Sequence, residues 1–125
     1  MIYLNLYQVN LLTDSYISYI NLRQREDRQE HMIRELKRVN IQADRFEAYT
    51  PDLFPDAKYD RMRNTTPGAI GCHMSQIAVM MLASAHGQHA MVMEDDLIFA
   101  DDFHKRVEIM EQFLQGKTWD IVWWR

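Results

Sequence analysis

The stretch that most constrains this chain is Ala90-Met-Val-Met-Glu-Asp-Asp96, in which four apolar residues lead without a break into three consecutive acids. A short run that is apolar on both faces reads as a buried strand of a parallel sheet covered by helices. Charges cannot follow it into the interior. Glu94, Asp95 and Asp96 therefore belong at or just past the strand's carboxyl end, which is where open α/β sheets place their ligands.

The rest of the chain must supply such a sheet. At 125 residues it is long enough for one domain with a real core, and we read residues 1–125 as a single unit. A net charge of -4 argues against a nucleic-acid partner, because a polyanion is normally met by a basic face. Cys72 is the sole cysteine, which excludes an intramolecular disulfide and fits a reducing compartment. It reads as a small buried helix residue and not as a nucleophile. Met1 to Leu12 has no basic leader region and no small-residue cleavage site, and Asn5, Gln8 and Asn10 make it too polar to span a bilayer. A cytoplasmic protein is expected, with peripheral attachment to the inner face of a membrane through a partner left open.

Taken in order, residues 2–12 are rich in strand formers, and Tyr16 to Ile20 reads as the first strand, with Asn21 to Gln24 its exit. From Arg25 the period changes. Met32, Leu36 and Val39 fall at i, i+4 and i+7, with Ile33 widening the stripe, and Asn40 suits a left-handed stop. Asp44 to Tyr49 alternates as a second strand would, which completes the strand, helix, strand unit of a right-handed parallel crossover. Thr50 to Asn64 reads as a loop with room for one helical turn. Thr66 then caps a helix with Pro67 in its first position; Ile70, Met74, Ile77 and Met81 give it a core stripe and Gly87 ends it. So apolar a helix is expected to be central and buried. A third helix starts at Asp101 or Asp102, carries Phe103, Val107, Met110 and Leu114, and closes at Gly116. Trp119 to Trp124 reads as a last strand whose large apolar groups need cover, either from a second copy of the chain or from a continuation.

Clustered carboxylates at a strand exit suit a hard divalent cation, which takes oxygen ligands and needs only one or two carboxylates when phosphates supply the rest. By spacing alone this is level with the plainer reading, in which Asp95 and Asp96 cap a turn and Glu94 is solvated. Arg23, Arg25 and Arg28 follow the first strand at the same sheet edge. Arg25 and Arg28 share a helix face and could grip a diphosphate, although a solvated face laced with Glu26, Asp27 and Glu30 outweighs that reading two to one. His73, Ser75 and Gln76 offer polar groups that are more often satisfied within a core. The histidines show no zinc-like spacing with Cys72, and there is neither a glycine-rich phosphate loop nor a nucleophile elbow. A receiver-type phosphoryl-transfer domain would want acids after the first strand, where Asn21-Leu-Arg-Gln24 stands instead.

Three stretches in order resemble glycosyltransferase family 25, the lipopolysaccharide-biosynthesis and collagen-type galactosyltransferases. They are Tyr19-Ile-Asn-Leu-Arg-Gln-Arg-Glu-Asp-Arg-Gln-Glu-His-Met32, Gly68-Ala-Ile-Gly-Cys-His-Met-Ser-Gln-Ile77, and Met91-Val-Met-Glu-Asp-Asp-Leu-Ile98 followed by Asp102-Phe103. Phe46-Glu-Ala48 and Trp119-Asp-Ile-Val122 fall at further short blocks. The resemblance implies a GT-A-like nucleotide-diphospho-sugar transferase fold, a mostly parallel sheet flanked by helices, and transfer of a hexose, usually galactose, from a UDP-sugar to a saccharide or glycolipid acceptor. It implies Mn²⁺ or Mg²⁺ as cofactor, with Asp96 the first candidate ligand and Asp95 the second. Asn21, Arg23, Arg28, Glu94 and Asp95 would lie along the nucleotide-sugar pocket. The carboxylate reading thereby moves from level to favoured.

Two departures bound the expectation. Where the family commonly has Ser-His in the helix motif, this chain has Ser75-Gln76. Family chains also continue past the Trp119 to Val122 block, so only the donor half of the fold is expected here, truncated at the carboxyl side and with no catalytic base assigned. The alternative is a non-catalytic module that binds nucleotide or a partner subunit, including a homo-oligomer joined through the Trp-rich ending.

Overall fold

The computed structural model describes residues 9–56 and 66–123. A single helical turn, α1 (Leu11–Asp14), leads into β1 (Ser15–Asn21), followed by α2 (Glu26–Arg38), β2 (Asp44–Glu47), a 3-10 turn at Pro51–Leu53, α3 (Pro67–Ala85), β3 (His89–Glu94) and α4 (Phe103–Leu114). The sheet is parallel throughout, in the order β2-β1-β3. Register pairs Ile20 with Phe46 on one side of β1 and with Glu94 on the other. This is a small α/β fold, consistent with the GT-A-like architecture expected.

The topology decides where the helices go. From β1 the chain steps through α2 to β2 on one flank, then returns through α3 to β3 on the other. Right-handed crossovers in opposite directions put α2 and α3 on opposite faces of the sheet. Met32 and Leu36 of α2 and Val39 just after it join Phe103, Val107 and Leu114 of α4 in one buried cluster that also takes Tyr19 and Met93 from the strands. The stripe read on each of these two helices is the buried one, except that Ile33 is exposed and Met110 only partly buried. Asn40 takes the left-handed conformation (φ 55°), as do Gly87 and Gly116 at the other helix ends.

Helix α3 corrects the sequence reading. It starts as expected, with Thr66 Oγ1 accepting from the Ala69 amide at 3.2 Å, and it packs against all three strands. Its buried residues, however, are Gly71, Ser75, Val79 and Ala83, one to two positions on from the expected stripe, whereas Ile77 is 47% and Met81 68% exposed. Small residues at i, i+4, i+8 and i+12 let the helix axis approach the sheet closely, and the bulky residues are turned outward by that choice. The helix is therefore not central. By length and composition alone it is apolar enough to cross a membrane.

Three further expectations change. Leu11–Asp14 is helical and not extended, with Asn10 Oδ1 capping the Thr13 amide at 3.1 Å; the strand-forming residues 2–8 lie outside the described residues. β3 is an edge of the three-stranded sheet, so Ala90 is exposed and only Met93 is fully buried. Trp119 to Trp123 forms no strand, although Trp119 and Val122 pack against the core and the Trp119 ring meets His89 at 4.8 Å; Trp124 lies outside the described residues.

Candidate functional site

The carboxyl ends of β1 and β2 stay paired, with the Ala48 amide donating to the Asn21 carbonyl at 2.9 Å, and the chain beyond them runs along the edge at which open α/β sheets place their ligands. A cleft of about 520 Å³ occupies that place. Arg23 and Gln24 line it from the β1 exit, and Phe46, Glu47, Tyr49 and Thr50 from the end of β2. Tyr49 stands edge-on to both Phe46 (5.4 Å between centroids) and Phe54 (5.9 Å). A second hollow, of about 470 Å³, opens at the amino end of β1, away from every predicted site residue.

On the other side of β1 the acids arrive from β3. Asp95 is buried, and both of its oxygens are taken: Oδ2 accepts from Asn21 Nδ2 at 2.8 Å, and Oδ1 accepts from Arg28 Nη1 at 3.0 Å. Asn21 is itself almost inaccessible. Its second amide hydrogen goes to the Arg25 carbonyl at 3.1 Å, and its Oδ1 accepts from Arg45 Nε at 2.9 Å. A single carboxamide at the end of the middle strand thus ties β2, β1 and the β3 exit together. Such charge-assisted, buried bonds fix geometry well. Asp96 is differently placed. Its side chain is 59% exposed and lies 3.9 Å from Arg28, and Glu94 is also exposed.

The segment after β3 is anchored further along α2. His31 Nε2 meets the Leu97 carbonyl at 2.7 Å, Glu35 Oε2 accepts the Phe99 amide at 2.9 Å, and Arg38 reaches the Phe99 carbonyl at 2.6 Å and Asp101 at 3.1 Å. Hydrogen bonds from Arg38 and from the Phe99 amide hold the Glu35 carboxyl down to about 2 despite its desolvation. His104 adds a bond to the Val39 carbonyl. Arg45, His31, Glu35 and Arg38 are not distinguishable by pattern from solvated helix and strand charges, since their partners lie 24 to 66 residues away.

The remaining candidates separate cleanly. Arg28 is committed to the acids, whereas Arg25 is spent on its near neighbour Asp27 at 2.8 Å, the solvated pairing expected of a helix charge run. Arg23 is exposed and makes no ion pair among the described residues. Ser75 is internally satisfied, donating to the Gly71 carbonyl at 2.7 Å and accepting the Tyr49 amide at 2.8 Å. His73 is exposed. Burial, and then the charge of Glu94, pushes the Cys72 thiol up, which suits an inert thiol and not a nucleophile. No group of three or more His, Cys, Asp or Glu that could hold a metal by itself occurs among the described residues.

The family model described as Glycosyltransferase family 25 (LPS biosynthesis protein) matches residues 14–123. The chain belongs to glycosyltransferase family 25. Its family 25 relatives include the probable inactive glycosyltransferase 25 family member 3 of Rattus norvegicus, 38% identical over 64 residues, which are 49% of this chain and 11% of that protein. The inactive glycosyltransferase 25 family member 3 of Mus musculus is 34% identical over 76 residues, 58% of this chain and 13% of the mouse protein. The chain thus matches only a small part of these family 25 relatives. No solved structure matches it.

Proposed function

We propose that this chain is the nucleotide-sugar-binding portion of a metal-dependent family 25 hexosyltransferase, carrying a hexose from a UDP-sugar to a saccharide acceptor such as a glycolipid. The observation that carries the reading is the division of labour among the acids: Asp95 is immobilised by Asn21 and Arg28, and Asp96 stands exposed on its shoulder at the carboxyl edge of the sheet, no nearer to Arg28 than 3.9 Å. The nucleoside would enter the cleft at the ends of β1 and β2, with Tyr49 and Phe46 offering ring surfaces and Arg23 an exposed guanidinium at the rim. From there the diphosphate runs along the sheet edge toward Asp96.

The residues present fit Mn²⁺ or Mg²⁺ on one condition. Asp96 is an accessible hard oxygen donor, with Glu94 exposed nearby, and the absence of a larger cluster among the described residues means the donor's own phosphates must complete the coordination. When bound, the ion would neutralise charge on the departing diphosphate. Asp95, whose oxygens are both engaged, serves to hold its neighbour in place, and Asn21 and Arg28 act through it.

Titration calorimetry of the chain with UDP, with Mn²⁺ and then with chelator, tests the proposal. Binding is expected only with metal and is expected to be lost in Asp96→Asn. Equal affinity in chelator overturns the metal role. A second reading, a non-catalytic module that still binds nucleotide, draws on the two curated relatives, both named inactive. Release of free UDP from a UDP-hexose in the presence of acceptor separates the two: binding without release favours the module.

A further inference from the structure

The segment from Asp95 to Asp102 has no regular secondary structure, yet it carries the exposed carboxylate of Asp96. Asp96 has little of its own to hold it, since its one ion pair among the described residues is a 3.9 Å approach to Arg28. Its neighbours are held tightly. Residues 95, 97, 99 and 101, every second position of the segment, are met by Arg28, His31, Glu35 and Arg38 of α2. On the helix these four stand at spacings of three, four and three, which is one face.

That face is tied to the core by covalent adjacency. His31, Glu35 and Arg38 each immediately precede a buried residue of the apolar stripe, Met32, Leu36 and Val39. A helix that seats its apolar stripe on the sheet is therefore already rotated to present the polar one, about 100° round, to the segment beyond β3. Ten residues of helix rise about 15 Å, a distance that six residues of loop span without full extension at about 3.3 Å each. Phe99, 4% exposed, fixes the far end of the loop inside the core, and Glu35 satisfies its amide.

We infer that the stripe Arg28, His31, Glu35 and Arg38 positions Asp96 for metal and donor diphosphate, so that these residues of α2 act on donor binding without touching the donor. This rests on the reading of Asp96 proposed above. Glu35 is the centre of the stripe because it accepts from both Arg38 and the Phe99 amide, and its removal releases the loop midway between its two ends.

The test is Mn²⁺ titration of the full chain with UDP present, followed by electron paramagnetic resonance, alongside UDP binding in chelator and hydrogen exchange at the Phe99 amide. In Glu35→Ala, metal-dependent affinity is expected to fall about tenfold, as is usual when a group supporting a metal ligand is removed. The Phe99 amide should exchange faster, while any metal-free UDP affinity stays at the wild-type level. Glu35→Gln, whose side-chain oxygen can still accept the Phe99 amide, should recover most of the loss. If Glu35→Ala does not fold, His31→Gln carries the same comparison at Leu97. Wild-type metal affinity in a variant with a freely exchanging Phe99 amide overturns the inference, as does equal weakening with and without metal. A wild-type chain that binds UDP without regard to Mn²⁺ overturns the metal role of Asp96, and this inference with it; the two failures are thus told apart by the wild-type titration.

Discussion

The contact between α3 and the end of β2 can be tested by adding one methyl group. A Cβ built at Gly71 would stand 2.5 Å from the Tyr49 carbonyl oxygen and 3.4 Å from its carbon. Both are backbone atoms, so no side chain can swing aside. Helix and strand end must separate by about 0.9 Å to restore ordinary contact. The bond from the Tyr49 amide to Ser75 Oγ, now 2.8 Å, lies one turn along the same helix and would be stretched beyond hydrogen-bond length by that movement. Overpacking of this kind costs about 1–3 kcal/mol and the lost bond about 1 kcal/mol, against a gain of about 1 kcal/mol from replacing glycine inside a helix. Gly71→Ala should therefore destabilise by about 1–3 kcal/mol, lowering the melting temperature by roughly 4 °C per kcal/mol in a domain of this size. Gly68→Ala is the internal control. Nothing lies within 4 Å of its Cβ, so only the helix term acts and the variant should be neutral or up to about 1 kcal/mol more stable. Urea denaturation followed by circular dichroism measures both. A Gly71→Ala chain as stable as wild type would refute the close approach, and with it the account of why small residues face the sheet. Tyr49 and Thr50 also line the crevice, so the same variant should weaken UDP binding.

Two other outcomes follow from the reassigned face of α3 and from the ionisation of Glu35. Val79→Ala, at a side chain with no exposure, should cost about 2 kcal/mol, whereas Met81→Gln, at a side chain 68% exposed, should stay within about 0.5 kcal/mol; chemical denaturation of the pair checks this. The Glu35 carboxyl titrates near 2 in the folded chain against an ordinary value of 4.5, so its contribution is complete above about pH 4.5 and is lost as pH falls toward 2. Because its partner Arg38 is partly solvated, that contribution should be about 1 kcal/mol. Glu35→Gln should accordingly show a flatter fall in urea midpoint between pH 5 and pH 2.5; parallel slopes in the two proteins would remove the ion pair from the acid response.

What could be read from the sequence was whatever local chemistry decides. The stripe Met32, Leu36 and Val39, the Thr66 cap and the left-handed stops at Asn40, Gly87 and Gly116 depend on neighbours within a turn or two, and all are found. Helix α3 misled because two different stripes both satisfy its period. Apolarity favours Ile70, Met74, Ile77 and Met81, but proximity to a sheet favours Gly71, Ser75, Val79 and Ala83, and proximity wins. Strand propensity at Trp119 to Val122 likewise produced no strand, since a strand exists only with a ladder to join. At the site, Asp95 and Asp96 look equivalent in sequence. Only the arrival of Asn21 from 74 residues away and Arg28 from 67 buries and fixes the one, while the other stays exposed.

The carboxamide of Asn21 has a chemical lifetime as well as a geometry. Both of its hydrogens are spent, one on Asp95 and one on the Arg25 carbonyl, and its oxygen faces Arg45. Hydrolysis of that amide to a carboxylate, the ageing reaction to which asparagine is prone, would remove both hydrogens and set two carboxylates at the present 2.8 Å contact in a buried place. One of the pair would then have to take up a proton or move away. A change of one mass unit at residue 21 would loosen all three strand ends at once.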